Sequence, residues 1–116
     1  MTALTKQSLC TEHEIQAVRH QGQRCRSEYL AFSWIKSADH RFAISCSKRI
    51  VRRAVDRNYF KRINRFFART PQNTTRNLHM LISARPALSR VDRANIKQVV
   101  TSAWQLFQKE SSKKLL

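Results

Sequence analysis

The segment KRIVRRAVDRNYFKRINRFFAR, residues 48–69, carries nine of the chain's 23 basic side chains and one acidic side chain, Asp56. Neither glycine nor proline occurs between Arg53 and Arg69, so nothing there interrupts a helix. At about 100° per residue, five apolar side chains fall within roughly 120° of one another: Tyr59, Phe60, Ile63, Phe66 and Phe67. The segment predicts an amphipathic helix over 53–69 that packs on a core through this face and ends at Thr70 and Pro71.

The opposite side of this helix is basic. Arg57, Lys61, Arg65 and Arg69 follow one another at i+4 steps, where like charges repel by a few tenths of a kcal/mol per pair. A solvated helix face is the simplest explanation of surface charge, but such faces normally mix both signs. Nine cations and one anion give residues 48–69 a net charge of +8. Because a phosphate backbone along the helix would turn this repulsion into attraction, we interpret the segment as a nucleic-acid-binding helix.

The composition of the whole chain also indicates a polyanionic partner. With 23 Lys and Arg against 7 Asp and Glu in 116 residues, the formal net charge is +16. No stretch approaches the roughly 18 to 20 consecutive apolar residues of a membrane span, and the opening MTALTKQSLC lacks the apolar block of a signal peptide. We therefore expect a soluble, cytoplasmic protein with no membrane partner. At this length a single domain, 1–116, is expected, with residues 1–10 and 110–116 as flexible tails.

Cysteine and glycine usage excludes several classes of site. Cys10, Cys25 and Cys46 are odd in number and far apart, which fits neither a disulfide scaffold nor a paired CxxC metal site, so we expect reduced thiols. The single glycine, Gly22, excludes the Walker loop and the dinucleotide fingerprint, which each need several glycines near phosphate. Side chains must therefore hold any bound phosphate.

Three elements are predicted before the basic helix. Thr11 and Glu14 have the spacing of a capping box and predict a short helix that ends at Gly22 in a left-handed conformation. This helix places Ile15 and Val18 on one face. The strings YLAFSWI, residues 29–35, and RFAISCS, residues 41–47, alternate as half-buried strands do. A short polar turn separates them, and we expect them to pair as a hairpin.

Two elements are predicted after it. LHMLIS, residues 78–83, is an apolar run of strand length and indicates a buried strand. Ser89 and Asp92 have capping spacing, and a last helix then places its apolar residues at helical intervals: Ile96, Val99, Val100, Ala103 and Phe107. The order is helix, strand, strand, helix, strand, helix. The predicted fold class is α+β, a single domain with helices packed on one sheet.

The basic segment resembles the signature of the bacterial ribonuclease P protein subunit. It reads Ser45-Cys46-Ser47-Lys48-Arg49, then Ala54-Val55-Asp56-Arg57-Asn58-Tyr59-Phe60-Lys61-Arg62-Ile63-Asn64-Arg65, and Arg69. The resemblance covers roughly residues 11–109 and is sharpest over 41–69. It implies the order αββ(β)αβα, with one more short strand in a mixed sheet of about four strands. It also implies a left-handed βαβ crossover around the basic helix, against the usual right-handed preference.

The resemblance implies a function and two sets of binding residues. Members of this family bind a catalytic RNA, and the complex removes the 5′ leader from precursor tRNA by phosphodiester hydrolysis. The RNA does the chemistry with Mg²⁺ held mainly by RNA, the protein alone is inactive, and one protein monomer joins one RNA. The residues implied to bind the catalytic RNA are Arg53, Arg57, Asn58, Lys61, Arg62, Arg65 and Arg69. Those implied in a leader-binding cleft between the sheet and the first helix are Arg19, Tyr29, Phe32, Ser45, Lys48 and Arg49.

The chain departs from the family pattern at several positions. Tyr59 stands where the family usually has arginine, and Phe66 where it has an acid or glutamine. Ala43 replaces a glycine, while Ile15 and Arg19 replace phenylalanines of the first helix. A guanidinium plane can stack on a base, so Arg19 offers a substitute for one of those rings.

Three other functions compete with this interpretation. A protein nuclease would need converging carboxylates for a metal or paired histidines, but the seven acids are scattered and the four histidines show no recognisable spacing. A ribosomal or RNA-assembly protein would share the charge and fold class without any cleavage role. A DNA-binding protein would place the basic helix in a major groove and read base edges.

Overall fold

The computed structural model describes residues 12–70, 73 and 76–115 of the chain. Its elements are α1 (Glu12–Gln21), β1 (Gln23–Arg26), β2 (Leu30–Lys36), β3 (Arg41–Ser45), α2 (Ala54–Ala68), β4 (Leu78–Ala84), a 3₁₀ turn (Pro86–Arg90) and α3 (Arg93–Leu115). This order confirms αββ(β)αβα, and the additional strand is β1. Thr11 of the predicted capping box, Cys10 and the expected tail over 1–10 lie outside the described residues.

The four strands form one mixed sheet in the order β1-β2-β4-β3. β1 and β2 are antiparallel, as are β2 and β4, while β3 and β4 are parallel. The predicted hairpin between residues 29–35 and 41–47 is therefore wrong, because β4 lies between these two strands. The reason is burial: Met80 and Ile82 face one side of the sheet and Leu81 the other, and all three are buried. A strand that is apolar on both faces is most stable in a central position.

The main core lies between the sheet and the helices α2 and α3. Leu30, Phe32 and Trp34 of β2 face this side and are at most 1% exposed. The Phe32 ring stacks on Phe107 at a centroid distance of 4.8 Å and meets the edge of Trp104 at 5.0 Å. This aromatic cluster fixes α3 across the sheet.

The other face of the sheet is covered in part by α1. Val18 is fully buried against Leu81, with Ile15 packed beside them. Gly22 follows the helix but does not adopt a left-handed conformation, so that prediction is wrong. Its role is close approach, since a Cβ there would lie 2.4 Å from the Val18 carbonyl oxygen and 2.8 Å from that of Trp34.

The basic helix α2 is rotated from its predicted orientation. Its buried residues are Phe60, Ile63, Asn64 and Ala68, whereas Phe66 is 67% exposed. Phe66 was predicted to face the core, and this prediction is wrong. The side chain of Asn64 takes part of the core face instead, because its Oδ1 accepts a hydrogen bond from Trp104 Nε1 at 2.9 Å.

The C-terminal helix is longer than predicted. α3 continues to Leu115, so the expected flexible tail over 110–116 is helical as far as the structure describes it. Ser111 is buried, and its Oγ accepts a hydrogen bond from Arg76 at 2.7 Å. Across the described ranges, none of the helices combines the length and apolarity required to span a bilayer.

Candidate nucleic-acid interface

The exposed side of α2 is a basic ridge, which we define by Asn58, Arg62, Arg65 and Arg69. Asn58, Arg62 and Arg69 are exposed and Arg65 is half-buried. Arg53 precedes the helix and is exposed, whereas Arg57 and Lys61 are half-buried on the flank of the ridge. The seven residues predicted to bind catalytic RNA thus lie along α2 and at its two caps, Arg53 and Arg69.

Arg57 also makes hydrogen bonds within the protein. Its Nη1 donates hydrogen bonds to the carbonyl oxygens of Val51 and Arg52, at 3.0 and 2.8 Å. These bonds fix the segment before α2 against the first turns of the helix. The Nη1 group of Arg57 is therefore already bonded to the backbone. Arg57 positions the segment before α2, which its exposed neighbours on the ridge do not do.

Two guanidinium groups lie against the ring of Tyr59. Arg62 is 5.5 Å from the ring centroid and Arg93, from the start of α3, is 5.6 Å away. Arg93 Nε also lies 3.6 Å from Asp56 Oδ1, so the one acid of the basic segment has a cationic partner. Sequence reasoning missed Arg93, because only the packing of α3 on α2 brings it to this surface.

The two ends of the ridge border concave surfaces. One, of about 310 Å³, is lined by Val55, Asn58, Tyr59, Arg62, Arg65 and Arg93. The other, of about 600 Å³, is lined by Arg62, Arg65, Phe66, Arg69 and Thr70. Arg69 also lies over the Phe42 ring at 5.7 Å, which holds its guanidinium near β3. Clustered guanidiniums in shallow concavities suit phosphate groups.

The flank of the ridge faces the chain that follows β3. Burial raises the pKa of the Cys46 thiol, although the charges of Lys61 and Arg57 act in the opposite direction. Arg57 binds this segment directly, through the carbonyl oxygens of Val51 and Arg52, so it connects the flank of the ridge to the segment that contains Lys48 and Arg49.

The predicted leader-binding residues separate into two groups. Arg19, Ser45, Lys48 and Arg49 are exposed. Ser45 pairs in register with Ser83, and Ala43 with Leu81, so Ser45 lies on the sheet face that α1 partly covers.

Phe32 and Tyr29 do not join this group. Phe32 is 1% exposed and held between aromatic rings of the core, so its assignment to the cleft is corrected to a core role. Tyr29 precedes β2, packs on the main core, and lines a groove of about 580 Å³ with residues of α3, on the opposite side of the sheet. Tyr29 precedes β2, so it does not follow the alternation of that strand and lies on the same side of the sheet as Phe32.

Sequence reasoning missed other residues of the face beside α1. Arg24 and Arg26 of β1 pair in register with Ser33 and Ala31, which lie on this same face. Arg24 donates a hydrogen bond to the carbonyl oxygen of Arg19 at 2.8 Å, which ties β1 to the end of α1. The sequence did not predict β1, because its four residues, QRCR, show little alternation of apolar and polar side chains.

Glu14 and Asp39 are engaged in ion pairs, as Asp56 is with Arg93. Arg41 contacts Glu14 at 3.1 Å and Asp39 at 2.9 Å, and His79 Nε2 donates to Asp39 at 2.8 Å. These hydrogen bonds, first from His79 and then from Arg41, lower the pKa of Asp39. Within the described part of the chain, no three His, Cys, Asp or Glu side chains converge as metal ligands do.

Known proteins resemble this chain in sequence and in fold. A family model described as Ribonuclease P matches residues 4–108. A structure of the RNase P protein from Staphylococcus aureus superposes with a TM-score of 0.71 at 19% sequence identity, covering 85% of this chain and 93% of that one. The RNase P protein from Thermotoga maritima gives a TM-score of 0.64 at 20% identity, covering 82% and 92%. A search of curated proteins returns no match. The two structural likenesses show the shared fold.

Proposed function

The chain belongs to the ribonuclease P protein family and is the protein subunit that partners ribonuclease P RNA; on this premise we propose how its surfaces divide the work. The basic ridge of α2 binds the catalytic RNA. The sheet face beside α1 binds the 5′ leader of precursor tRNA. One protein monomer joins one RNA in the cytoplasm, and the RNA carries out the hydrolysis.

One observation supports this proposal above the others: a row of exposed and half-buried cations along a single helix whose only acid already has a partner. Asp56 faces Arg93, so it does not offset the charge of the ridge. Each arginine can offer a forked pair of donors to phosphate oxygens, and each phosphate neutralised releases counterions. The helix therefore gains affinity for RNA backbone without reading sequence.

Leader binding depends on the second surface. Ser45, Lys48 and Arg49 follow one another at the end of β3 and just after it, and Arg19 lies on α1. Cations there hold leader phosphates, and the Arg19 guanidinium plane stacks a base. Because such contacts do not distinguish bases strongly, they suit a leader of variable sequence.

The chemistry is assigned to the RNA. Mg²⁺ supplies Lewis-acid activation of water and phosphate when it is bound, and we assign it mainly to RNA ligands. The protein's share is to lower the repulsion between two polyanions, to position the RNA backbone along α2, and to favour precursor over mature tRNA through the leader.

Reconstitution tests this function. Adding the protein to ribonuclease P RNA at low Mg²⁺ should raise the rate of precursor cleavage, and the protein alone should cut nothing. Cleavage that stays at the level of the RNA alone would favour a ribosomal or RNA-assembly role. Tighter binding to duplex DNA than to structured RNA at matched salt would favour a DNA-binding helix.

The ridge has a quantitative test of its own. If Arg62 contacts a phosphate, Arg62→Ala should lower the slope of log affinity against log salt by roughly 0.7 to 0.9. Lys109→Ala, an exposed cation of α3, is the matched control and should leave the slope unchanged. Equal slopes for both variants would assign Arg62 to the solvated surface.

A further inference from the structure

Phe66 is an aromatic side chain exposed in the middle of a cationic surface. Across the part of the chain that the structure describes, the large apolar side chains that are exposed are Phe66, at 67%, and Val55, at 48%. Phe66 lies among Arg62, Arg65 and Arg69, with which it lines the 600 Å³ concavity. Exposing a phenylalanine forgoes the stabilisation that its burial would give, and this one is exposed where three arginines line the same concavity.

The ring of Phe66 is held in place although it is exposed. Its centroid lies 5.4 Å from that of Phe67, with the ring planes at 81°. Phe67 in turn stacks on Trp104 at 5.8 Å, and Trp104 is buried in the core. Two successive ring contacts, Phe66 with Phe67 and Phe67 with Trp104, thus connect the exposed ring to the core. A ring that is already oriented loses little conformational entropy when a ligand stacks on it.

The charges around Phe66 select the chemistry of its ligand. A second copy of this chain would bring two arginine clusters together, and a protein partner would need acidic groups around an apolar contact. A nucleotide carries both required features, since a flat base can stack on the ring while its phosphates contact the flanking guanidiniums. Charge complementarity therefore favours RNA over both alternatives.

We propose that Phe66 is a stacking platform for one unpaired nucleobase of ribonuclease P RNA, with Arg62 and Arg69 holding the phosphates beside that base. This inference rests on the proposed function, because it names an additional contact of the same surface. Phosphate binding by the arginines alone would not involve Phe66, whereas base stacking gives the exposed ring a role.

Affinity for ribonuclease P RNA, measured with four variants, tests the proposal. Phe66→Ala should bind roughly 5- to 150-fold more weakly, as expected for the loss of one base–aromatic stack. Phe66→Trp should keep wild-type affinity, and Phe66→Leu should recover only part of it. Gln105→Ala, at an exposed position of α3 that lines neither concavity of the ridge, should change affinity less than twofold. The salt slope of Phe66→Ala should match wild type, because no phosphate contact is removed.

Base-specific chemical probing of the RNA gives a direct readout. In the complex with Phe66→Ala, one nucleotide that wild type and Phe66→Trp protect should become reactive. Thermal unfolding of the free variants should be unchanged within error, since the ring is exposed.

The outcomes separate this proposal from the proposed function. If wild type neither binds ribonuclease P RNA nor stimulates cleavage, the proposed function fails and this inference with it. If wild type does both and Phe66→Ala binds equally well, only the stacking platform is overturned. Full recovery by Phe66→Leu would also overturn it, in favour of a general apolar contact, as would a loss of self-association by Phe66→Ala at unchanged RNA affinity.

Discussion

The side chain of Asn64 shows how one buried amide fixes the orientation of a helix. It is fully buried, its Nδ2 donates to the Phe60 carbonyl oxygen at 2.9 Å, and its Oδ1 accepts from Trp104 Nε1. Asn64→Ala leaves the indole N–H without this acceptor, so we expect a loss of about 1–3 kcal/mol in the free energy of unfolding. Urea unfolding checks this, with exposed Asn58→Ala as the control at less than about 0.5 kcal/mol. Equal losses for the two variants would contradict the assignment.

His40 makes the stability depend on pH. It is 8% exposed, and its Nε2 donates to the Ala68 carbonyl oxygen at the end of α2, at 2.7 Å. Burial lowers its pKa below the ordinary value of 6.5, although the bond to Ala68 acts in the opposite direction. The unfolded chain therefore binds a proton near pH 6.5 where the folded chain does not. Stability should be complete above that pH and fall as the pH drops below it.

A comparison of His40→Gln with wild type measures this effect. Glutamine can still donate to the Ala68 carbonyl but does not titrate, so the variant should lose less stability between pH 7.5 and 5.5 than wild type does. The difference is at most about 1.4 kcal/mol per pH unit. Gln105→Ala, an exposed change in α3 that involves no titratable group, should follow the wild-type pH profile. Parallel pH profiles for wild type and His40→Gln would show that another group is responsible.

At the scale of elements, local pattern predicted which segments are helices and strands better than it predicted their orientation. The apolar residues of α2 suggested a core face that includes Phe66, but the face that is buried includes Asn64 and Ala68. The rotation follows from the hydrogen bond between Asn64 and Trp104, residues 40 positions apart. No window of sequence along α2 contains that information.

The strands show the same limit. The alternation predicted over residues 29–35 holds within β2, where Leu30, Phe32 and Trp34 share a buried face, but it does not extend to Tyr29, which precedes the strand and packs on the same core. Pairing was predicted from proximity in the chain, yet β4 inserts between β2 and β3. Which strand lies beside β2 in the middle of the sheet depends on the burial of β4 on both faces. That burial is a property of the assembled sheet. The left-handed crossover stays a prediction from the family resemblance.

The junction between α1 and the sheet depends on Gly22. Because a Cβ would meet two backbone carbonyls, which cannot move as a flexible side chain does, Gly22→Ala should force α1 away from β2. We expect a loss of about 1–3 kcal/mol in the free energy of unfolding. Leader binding should weaken more than binding to the catalytic RNA, since α1 borders the leader surface and not the ridge. Ala17→Gly, a change of similar size within α1, is the control for helix propensity, and an equal shift in both affinities would argue against this division.

The whole molecule carries a charge of +16 within extents of 37 × 33 × 26 Å. The Debye length is about 30 Å at 0.01 M salt, so at low ionic strength nearly every cation interacts with every other across the fold. At 1 M salt it is about 3 Å, and only adjacent charges interact. Self-repulsion of this kind opposes the compact state, which means that the surface suited to RNA lowers the stability of the free protein.

The Tm of the free protein should therefore rise as NaCl is raised from 0.01 to 0.5 M. A protein held together by exposed ion pairs would show the opposite trend, because salt screens attraction as well as repulsion. We expect a gain on the order of 1 kcal/mol, or roughly 4–8 °C. The triple variant Arg62→Gln, Arg65→Gln, Arg69→Gln reduces the charge of the ridge and should gain less, since fewer like charges remain to be screened.

Chloride is used in place of sulfate, because sulfate strengthens apolar burial in any protein. A flat or falling Tm for wild type would mean that local ion pairs such as Arg41 with Glu14 outweigh the summed repulsion. In that case the arginines of α2 would impose little strain on the free fold, and RNA binding would not be needed to explain why the chain tolerates them.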